Sequence, residues 1–438
     1  MRILHPIALT VFCSTLLLNS RHGLAQFTQQ GPKLVGIDAE GNSHQGIAVA
    51  LSADGSTAIV GGNSVLDFNV TGPPGGAGAA WAWTRSNGGL WAQQGSKLVG
   101  SDGSSYALQG SSVSLSADGN TAIVGGPADN GVAGAAWVWT RSGGIWTQQG
   151  TKLVGSDAVG IGDQGVSVSL GADGNTAIIG GAGAAWIWAR SGGVWTQQGT
   201  KLVGSGAVGN AAQGLSVSMS ADGNTAVVGG PLDNGQAGAA WIWIRSGGLW
   251  TQQGPKLVGS GAAGIGEQGR SVSLSADGNT AIIGGFGAAW IWTRSGGAWT
   301  QQGPKLVGLG AVGNAAEGLS VSLSADGNTA VVGGPLDSSQ AGAVWVWARS
   351  GGTWSQQFTK LAGTGSIGNA QQGYSVSLSA DGSTLIAGGP SDNSNAGAAW
   401  VFVVSSVVNP ASIPTASVWK FMALVAMLAL LGAMRTRN

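Results

Sequence analysis

One sentence of sequence, written seven times with small changes, decides most of what this chain can become. Its second copy reads QGSSVSLSADGNTAIVGGPADNGVAGAAWVWTRSGGIWTQQGTKLVG and covers residues 109–155. The aspartate of its Ala-Asp-Gly word falls at Asp54, Asp118, Asp173, Asp222, Asp277, Asp326 and Asp381, at intervals of 64, 55, 49, 55, 49 and 55 residues. A fixed period of this size marks a repeat architecture, in which each unit buries its apolar faces only against its neighbours.

Each copy holds four short strand patterns. In the second copy they are SVSLS (112–116), TAIVGG (121–126), AAWVWTR (135–141) and IWTQQGTKLVG (145–155). Ala-Asp-Gly-Asn, Pro-Ala-Asp-Asn-Gly and Ser-Gly-Gly separate them. Short alternating runs bounded by such turns read as antiparallel strands. Four strands in each of seven copies predict an all-β fold, a seven-bladed β-propeller of four-stranded antiparallel blades. The first repeat words, FTQQGPKLVG (27–36), are a fourth strand without its first three, and the last copy is three strands without a fourth. The N-terminal strand is therefore expected to close the last blade, with Phe27 where other copies carry Trp91, Trp146, Trp195, Trp250, Trp299 and Trp354. This leaves no unpaired strand at the join.

The paired tryptophans of the third strand are read first as core. Burying one ring removes about 200 Å² from water, worth at most about 5 kcal/mol. The alternative is a ring of aromatic platforms for sugars, as in propeller lectins. The repeated Asp-Gly is a hairpin turn signal. The lysines of the KLVG words, Lys33, Lys97, Lys152, Lys201, Lys256, Lys305 and Lys360, are expected on the outermost strand as solvated guards of an exposed edge.

Domain organisation follows from where the repeat starts and stops. Residues 1–25 read as a secretory signal peptide, with Arg2, an apolar run and small residues before the expected cut. The single cysteine, Cys13, lies within it, so the mature chain would have no disulfide or thiol chemistry. Residues 26–405 form the propeller and 406–417 a linker. Residues 418–438 form an apolar membrane or sorting segment ending in Arg435 and Arg437. Formal net charge is zero and only 9% of residues are charged, which gives no electrostatic case for nucleic acid. The propeller is expected to be monomeric.

Strand alternation places turns one and three on one face and loops two and four on the other. Departures from the repeat gather on the loop face. Loop two of the first copy expands to residues 63–76 and includes Asp67 and Phe68. Loop four carries Asp38, Glu40, His44, Asp102, Tyr106, Asp157, Asp163, Glu267 and Glu317, with Arg270 and Tyr374 just beyond. The expected binding face is marked by Asp67, Phe68, Glu40, His44, Tyr106, Asp163, Glu267 and Glu317. No catalytic constellation is legible: after signal removal His44 is the only histidine, and Glu40, Glu267 and Glu317 are the only glutamates. No cofactor is expected. The reading is a non-enzymatic interaction protein binding a protein or matrix partner. A carbohydrate-binding propeller is the alternative, and a loop-borne hydrolase using paired carboxylates is a third.

The ordered words SVSLSADGNTAIVGGP, AGAAWVWTRSGG and WTQQ-x-KLVGS resemble the bacterial FG-GAP repeat family, relatives of the integrin α-subunit propeller; the likeness covers most of 27–404. It implies a seven-bladed propeller on an exported or surface protein, with adhesive or interaction roles. Integrin-type repeats bind calcium between strands one and two. Here that turn keeps one aspartate, as in Asp118-Gly119-Asn120, against the 6–8 oxygens calcium takes. The remaining calcium candidates are Asp129, Asn130, Asp233, Asn234, Asp392 and Asn393. Kelch repeats, with Gly-Gly after strand two, would imply the same architecture. Ile413, Pro414, Thr415 and Trp419, followed by an apolar run and arginine, resemble the IPTL-CTERM sorting signal. That likeness implies a Gram-negative bacterium and handling by an exosortase-like membrane enzyme; a plain membrane anchor is the alternative.

Overall fold

The alternation of Ser with Val and Leu in each first strand, and the β-branched run in each second, resolve into sheets in the computed structural model of the chain. It describes residues 26–405 except 40, 64–75, 159–161 and 263–264. Seven four-stranded antiparallel sheets form, six in the chain order first, second, third, fourth strand and the seventh with Phe27–Gln29 as its fourth. The second blade is typical: Ser112–Leu115, Thr121–Gly126, Ala135–Ser142 and Ile145–Gln148. The first strands of successive blades lie side by side, and that of the last blade returns to that of the first. The chain is a seven-bladed β-propeller, with residues Phe27–Val404 as its compact unit.

Closure follows the sequence reading. Phe27–Gln29 pairs antiparallel with Ala398–Val404, Phe27 opposite Val404. This is the register of Trp146 opposite Arg141 in the second blade. Gln29 accepts a backbone hydrogen bond from Thr364 at 2.6 Å, as Gln148 does from Ser101 at 2.9 Å.

The fourth strands are shorter than the sequence reading had them. Each ends at the first glutamine of Gln-Gln; in six blades the chain then turns at a glycine such as Gly150, with φ of 72°, and in blade six Phe358 takes that place. The following leucine bridges back to the start of strand three, Leu153 to Ala136. The KLVG lysines therefore lie beyond the fourth strand, in the segment that bridges back to strand three.

The core is a set of inter-blade layers. The first tryptophan of each pair, Trp81, Trp137, Trp186, Trp241, Trp290, Trp345 and Trp400, is at most 2% exposed. Its ring lies flat on the KLVG glycine: a Cβ at Gly100 would stand 2.1 Å from Trp137 Cδ1, so only glycine fits. The second member is also buried, and the indole N–H of Trp83, Trp139, Trp188, Trp243 and Trp292 meets no acceptor. The last blade has Phe402 there, which needs none.

Two belts join the blades around the axis. The alanine of every Ala-Asp-Gly donates its N–H to the carbonyl of the next blade's alanine, from Ala53 to Ala117 and on until Ala380 returns to Ala53, at 2.8–2.9 Å. Serine hydroxyls of the first strands form the second. Ser112 Oγ donates to Gly165 O at 2.8 Å, and Ser114 Oγ accepts from Leu170 N at 3.1 Å. Six joints repeat this pair. Between blades one and two Ala48 and Ala50 replace both serines, and neither bond can form.

Candidate functional site

The loop face is built on a latch at the word x-Gln-Gly, just before each first strand. The glutamine is buried, and its Oε1 accepts from the KLVG glycine: Gly100 N to Gln109 at 2.6 Å, Gly204 N to Gln213 at 2.5 Å. Its Nε2 donates back to that glycine's carbonyl in five copies, as from Gln213 at 2.9 Å and Gln372 at 2.9 Å.

The residue before the latch is left-handed in every blade although none is glycine. These are His44, Leu108, Asp163, Ala212, Glu267, Ala316 and Gln371, with φ between 43° and 57°. The conformation costs an L-residue roughly 1–2 kcal/mol. The backbone is thus the same seven times while the side chains nearly all differ. His44, Leu108, Asp163, Glu267 and Gln371 each donate their N–H to the preceding blade's loop two, as His44 does to Asn395 at 2.9 Å. Burial holds the His44 imidazole below its ordinary pKa and pushes the Asp163 carboxyl up. Glu267 pairs with Arg270 at 3.1 Å.

Glu317 stands where six blades have the latch glutamine. It is 4% exposed, and its Oε2 accepts from Gly308 N at 2.5 Å. Burial pushes its carboxyl up; the Gly308 N–H works against this and neighbouring Asp337 adds to it. A protonated carboxyl is the form that can still donate as the glutamine amide does.

Loop two of blades two, four, six and seven is one left-handed turn. Asn130, Gly131 and Val132 have φ of 50°, 68° and 68°, and Ser338, Ser339 and Gln340 have 50°, 58° and 71°. A buried aspartate opens each turn and ties it down. Asp129 accepts from Ser104 N at 2.7 Å and pairs with Lys152 at 2.5 Å. Asp233 accepts from Val208 N and pairs with Lys256. Asp337 does the same with Val312 N and Lys360, and Asp392 with Ile367 N and Lys33. This corrects the reading of these lysines as solvated edge guards: the ammonium groups neutralise carboxylates that would otherwise be buried alone. Three calcium candidates, Asp129, Asp233 and Asp392, are these tethered carboxylates. Asn130, Asn234 and Asn393 supply left-handed backbone. Among the described residues no three His, Cys, Asp or Glu side chains gather as a metal cluster.

Asp38, Asp102 and Asp157 are structural too. Asp102 accepts from Trp137 Nε1 at 2.7 Å, Gln148 Nε2 at 3.1 Å and Lys152 N at 2.8 Å. Burial opposes its charge, but these bonds outweigh it and hold the carboxyl below the usual range. Tyr106 is 44% exposed. Glu40, Asp67, Phe68, Ile413, Pro414, Thr415 and Trp419 lie outside the described residues.

Sequence reasoning missed Phe286, in the short loop two of blade five. It is 39% exposed and donates its N–H to Gly266 O at 2.8 Å, while Gly287 N donates to Glu317 O at 2.8 Å. It also missed Asp337, because Ser338 breaks the Asp-Asn word; the shared Pro-Leu-Asp with Asp233 is the signal that finds it.

The turn face is uniform by contrast. Each Ala-Asp-Gly carboxylate accepts from its own turn, as Asp118 does from Asn120 N at 2.9 Å. At six joints an arginine lies over the fourth-strand tryptophan, 5.3–5.8 Å from the ring centroid. The previous blade's second glutamine accepts from the arginine, as Gln94 does from Arg141 at 3.1 Å, and in five joints from the indole as well. Blade seven has Val404 and Phe27 instead, packed with Phe358 and Phe402. A notch of about 430 Å³ opens beside half-buried Trp299, between Gln253–Pro255 and Gly296–Ala298.

The fold and this arrangement define the chain as a seven-bladed propeller with one uniform face and one variable face. No known protein-family profile matches it, and no curated protein matches it.

Proposed function

We propose that this is an exported, non-enzymatic interaction protein of the bacterial cell surface, related to the FG-GAP propellers. It holds a protein or matrix partner on its loop face, and the 418–438 segment serves as anchor or IPTL-CTERM-like sorting tail. The observation that supports this most is the ring of seven left-handed residues, His44 through Gln371. Glycine would take that backbone without strain. Keeping His, Leu, Asp, Glu and Gln side chains there has a cost that a binding surface would explain.

The test is binding of the chain to arrayed matrix proteins and glycans, with calcium and with chelator. Protein binding lost in a Glu267→Ala, His44→Ala variant of unchanged fold supports the loop-face reading; binding untouched by these changes sinks it. A second reading, carbohydrate binding, is favoured by the notch at Trp299. It predicts saturable sugar binding that Trp299→Ala removes and loop-face variants retain.

A further inference from the structure

In blade seven the two chain ends take the place of turn three. Ser405 donates its N–H to Gln26 O at 3.0 Å, the position held by Ser142 opposite Ile145 in blade two. Both ends therefore leave the propeller on the turn face. The chain continues for residues 406–438, with twelve residues, 406–417, before the apolar run. Twelve residues span at most about 40 Å, so an anchor in 418–438 keeps the chain ends within that reach of a membrane.

The same ring of turn-three tips carries exposed aliphatic side chains on the four blades that follow. Leu90, Ile145, Val194 and Leu249 are 70%, 68%, 64% and 73% exposed. The tips otherwise hold only Ser, Asn and Gly, with no lysine or carboxylate. The nearby arginines are folded back over tryptophans. Blades five and six carry Ala298 and Thr353 instead, so the aliphatic arc runs from the chain ends through blade four and stops. Uncharged turn-three tips bearing one aliphatic residue each suit the boundary between headgroups and acyl chains, while the exposed turn-one aspartates of the same face, Asp54 through Asp381, lie on the inner ring and stay at headgroup level.

We propose that the turn face docks on the bilayer that holds the C-terminal segment. Leu90, Ile145, Val194 and Leu249 enter the interface and the loop face points away. This rests on the anchoring assigned under the proposed function. It orients the protein so that the variable ring faces outward.

The test uses the chain without its signal segment, residues 26–438, which holds no cysteine, reconstituted in phosphatidylcholine vesicles. Nitroxide labels are placed singly at Ile145→Cys and Leu249→Cys on the turn face, and at Val208→Cys and Ile367→Cys on the loop face. Turn-face labels should gain collisions with oxygen and lose them with a water-soluble nickel complex, while loop-face labels behave as in water. Leu90→Ser with Val194→Ser should then lower the nickel protection at Leu249→Cys without changing co-sedimentation. Chain that sediments with vesicles while its turn-face labels stay water-like overturns the docking and leaves the anchor standing. Chain that does not sediment overturns the anchor and the docking together.

Discussion

Two joints in this ring invite comparison: the one between blades seven and one, beside the chain ends, and the one between blades one and two, inside continuous chain. The first would be expected to be the weaker, yet it carries the full set of bonds. Ser375 Oγ donates to Gly46 O at 2.8 Å, Leu51 N to Ser377 Oγ at 3.1 Å, and Gln30 accepts from Trp91 at 3.1 Å. The second lacks both serine bonds, because Ala48 and Ala50 have no hydroxyl. It retains the alanine belt, the Gln94 cluster and a bond from Asn63 Nδ2 to Ser111 Oγ at 3.1 Å. The joint with the fewest serine bonds is thus not the one where the backbone is cut.

The largest expected effect comes from attacking closure itself. Phe27 is 5% exposed within the Phe358, Phe402 and Val404 cluster, and Phe27→Ala should cost about 3–5 kcal/mol in denaturant unfolding. A loss below about 1 kcal/mol would mean the closing strand contributes little, against the usual cost of such a cavity. Next, Ser375→Ala with Ser377→Ala should make the seven–one joint resemble the one–two joint, at about 1 kcal/mol for each bond removed. The reverse exchange, Ala48→Ser with Ala50→Ser, should gain up to a similar amount. No gain would show that the one–two joint has relaxed away from the common geometry.

The latch between blades five and six extends the comparison to pH. Glu317 has its pKa raised in the fold, so folding takes up a proton there. Its contribution is complete below the ordinary glutamate pKa and is lost as pH rises through the raised value. Glu317→Gln should therefore stabilise the chain by about 1 kcal/mol at neutral pH and by progressively less toward pH 4; melting curves across that range would show it. The smallest effect is expected at Ser339, left-handed at φ 58°. Ser339→Gly should raise stability by less than about 1 kcal/mol, since relief of the left-handed strain is offset by the freedom glycine adds to the unfolded chain, and a loss there would point to a contact made by the serine side chain.

The fold was legible because its signals repeat: strand alternation, turn words and the split fourth strand at the two ends all agree. The loop face was legible in place more than in detail. Charge on an outer strand suggests a guarded edge, and nothing local in KLVG says that Lys152 turns back to a buried Asp129, separated by 23 residues. The pairing shows only in covariation among copies. Four of the lysines meet loop-two aspartates, whereas blade three, which has none, leaves Lys201 on the carbonyl of Asp157 at 3.1 Å. The Arg–Trp–Gln clusters carried a similar signal, since Arg and Trp are both lost in blade seven. The left-handed ring was hidden because side chains as unlike as Leu108 and Asp163 share no propensity for positive φ; what the seven share is the Gln-Gly that follows, Glu-Gly in blade six.

The alanine belt has one more consequence. In an α-helix peptide dipoles line up head to tail and leave partial charge at two ends. Here seven N–H to carbonyl bonds run head to tail around a circle, each Ala donating to the next. A circle has no terminus where charge collects, and the in-plane components of seven bonds placed around it cancel. The belt therefore has no charged end of the helical kind, and the formal charge beside it is carried by the aspartates that follow each alanine.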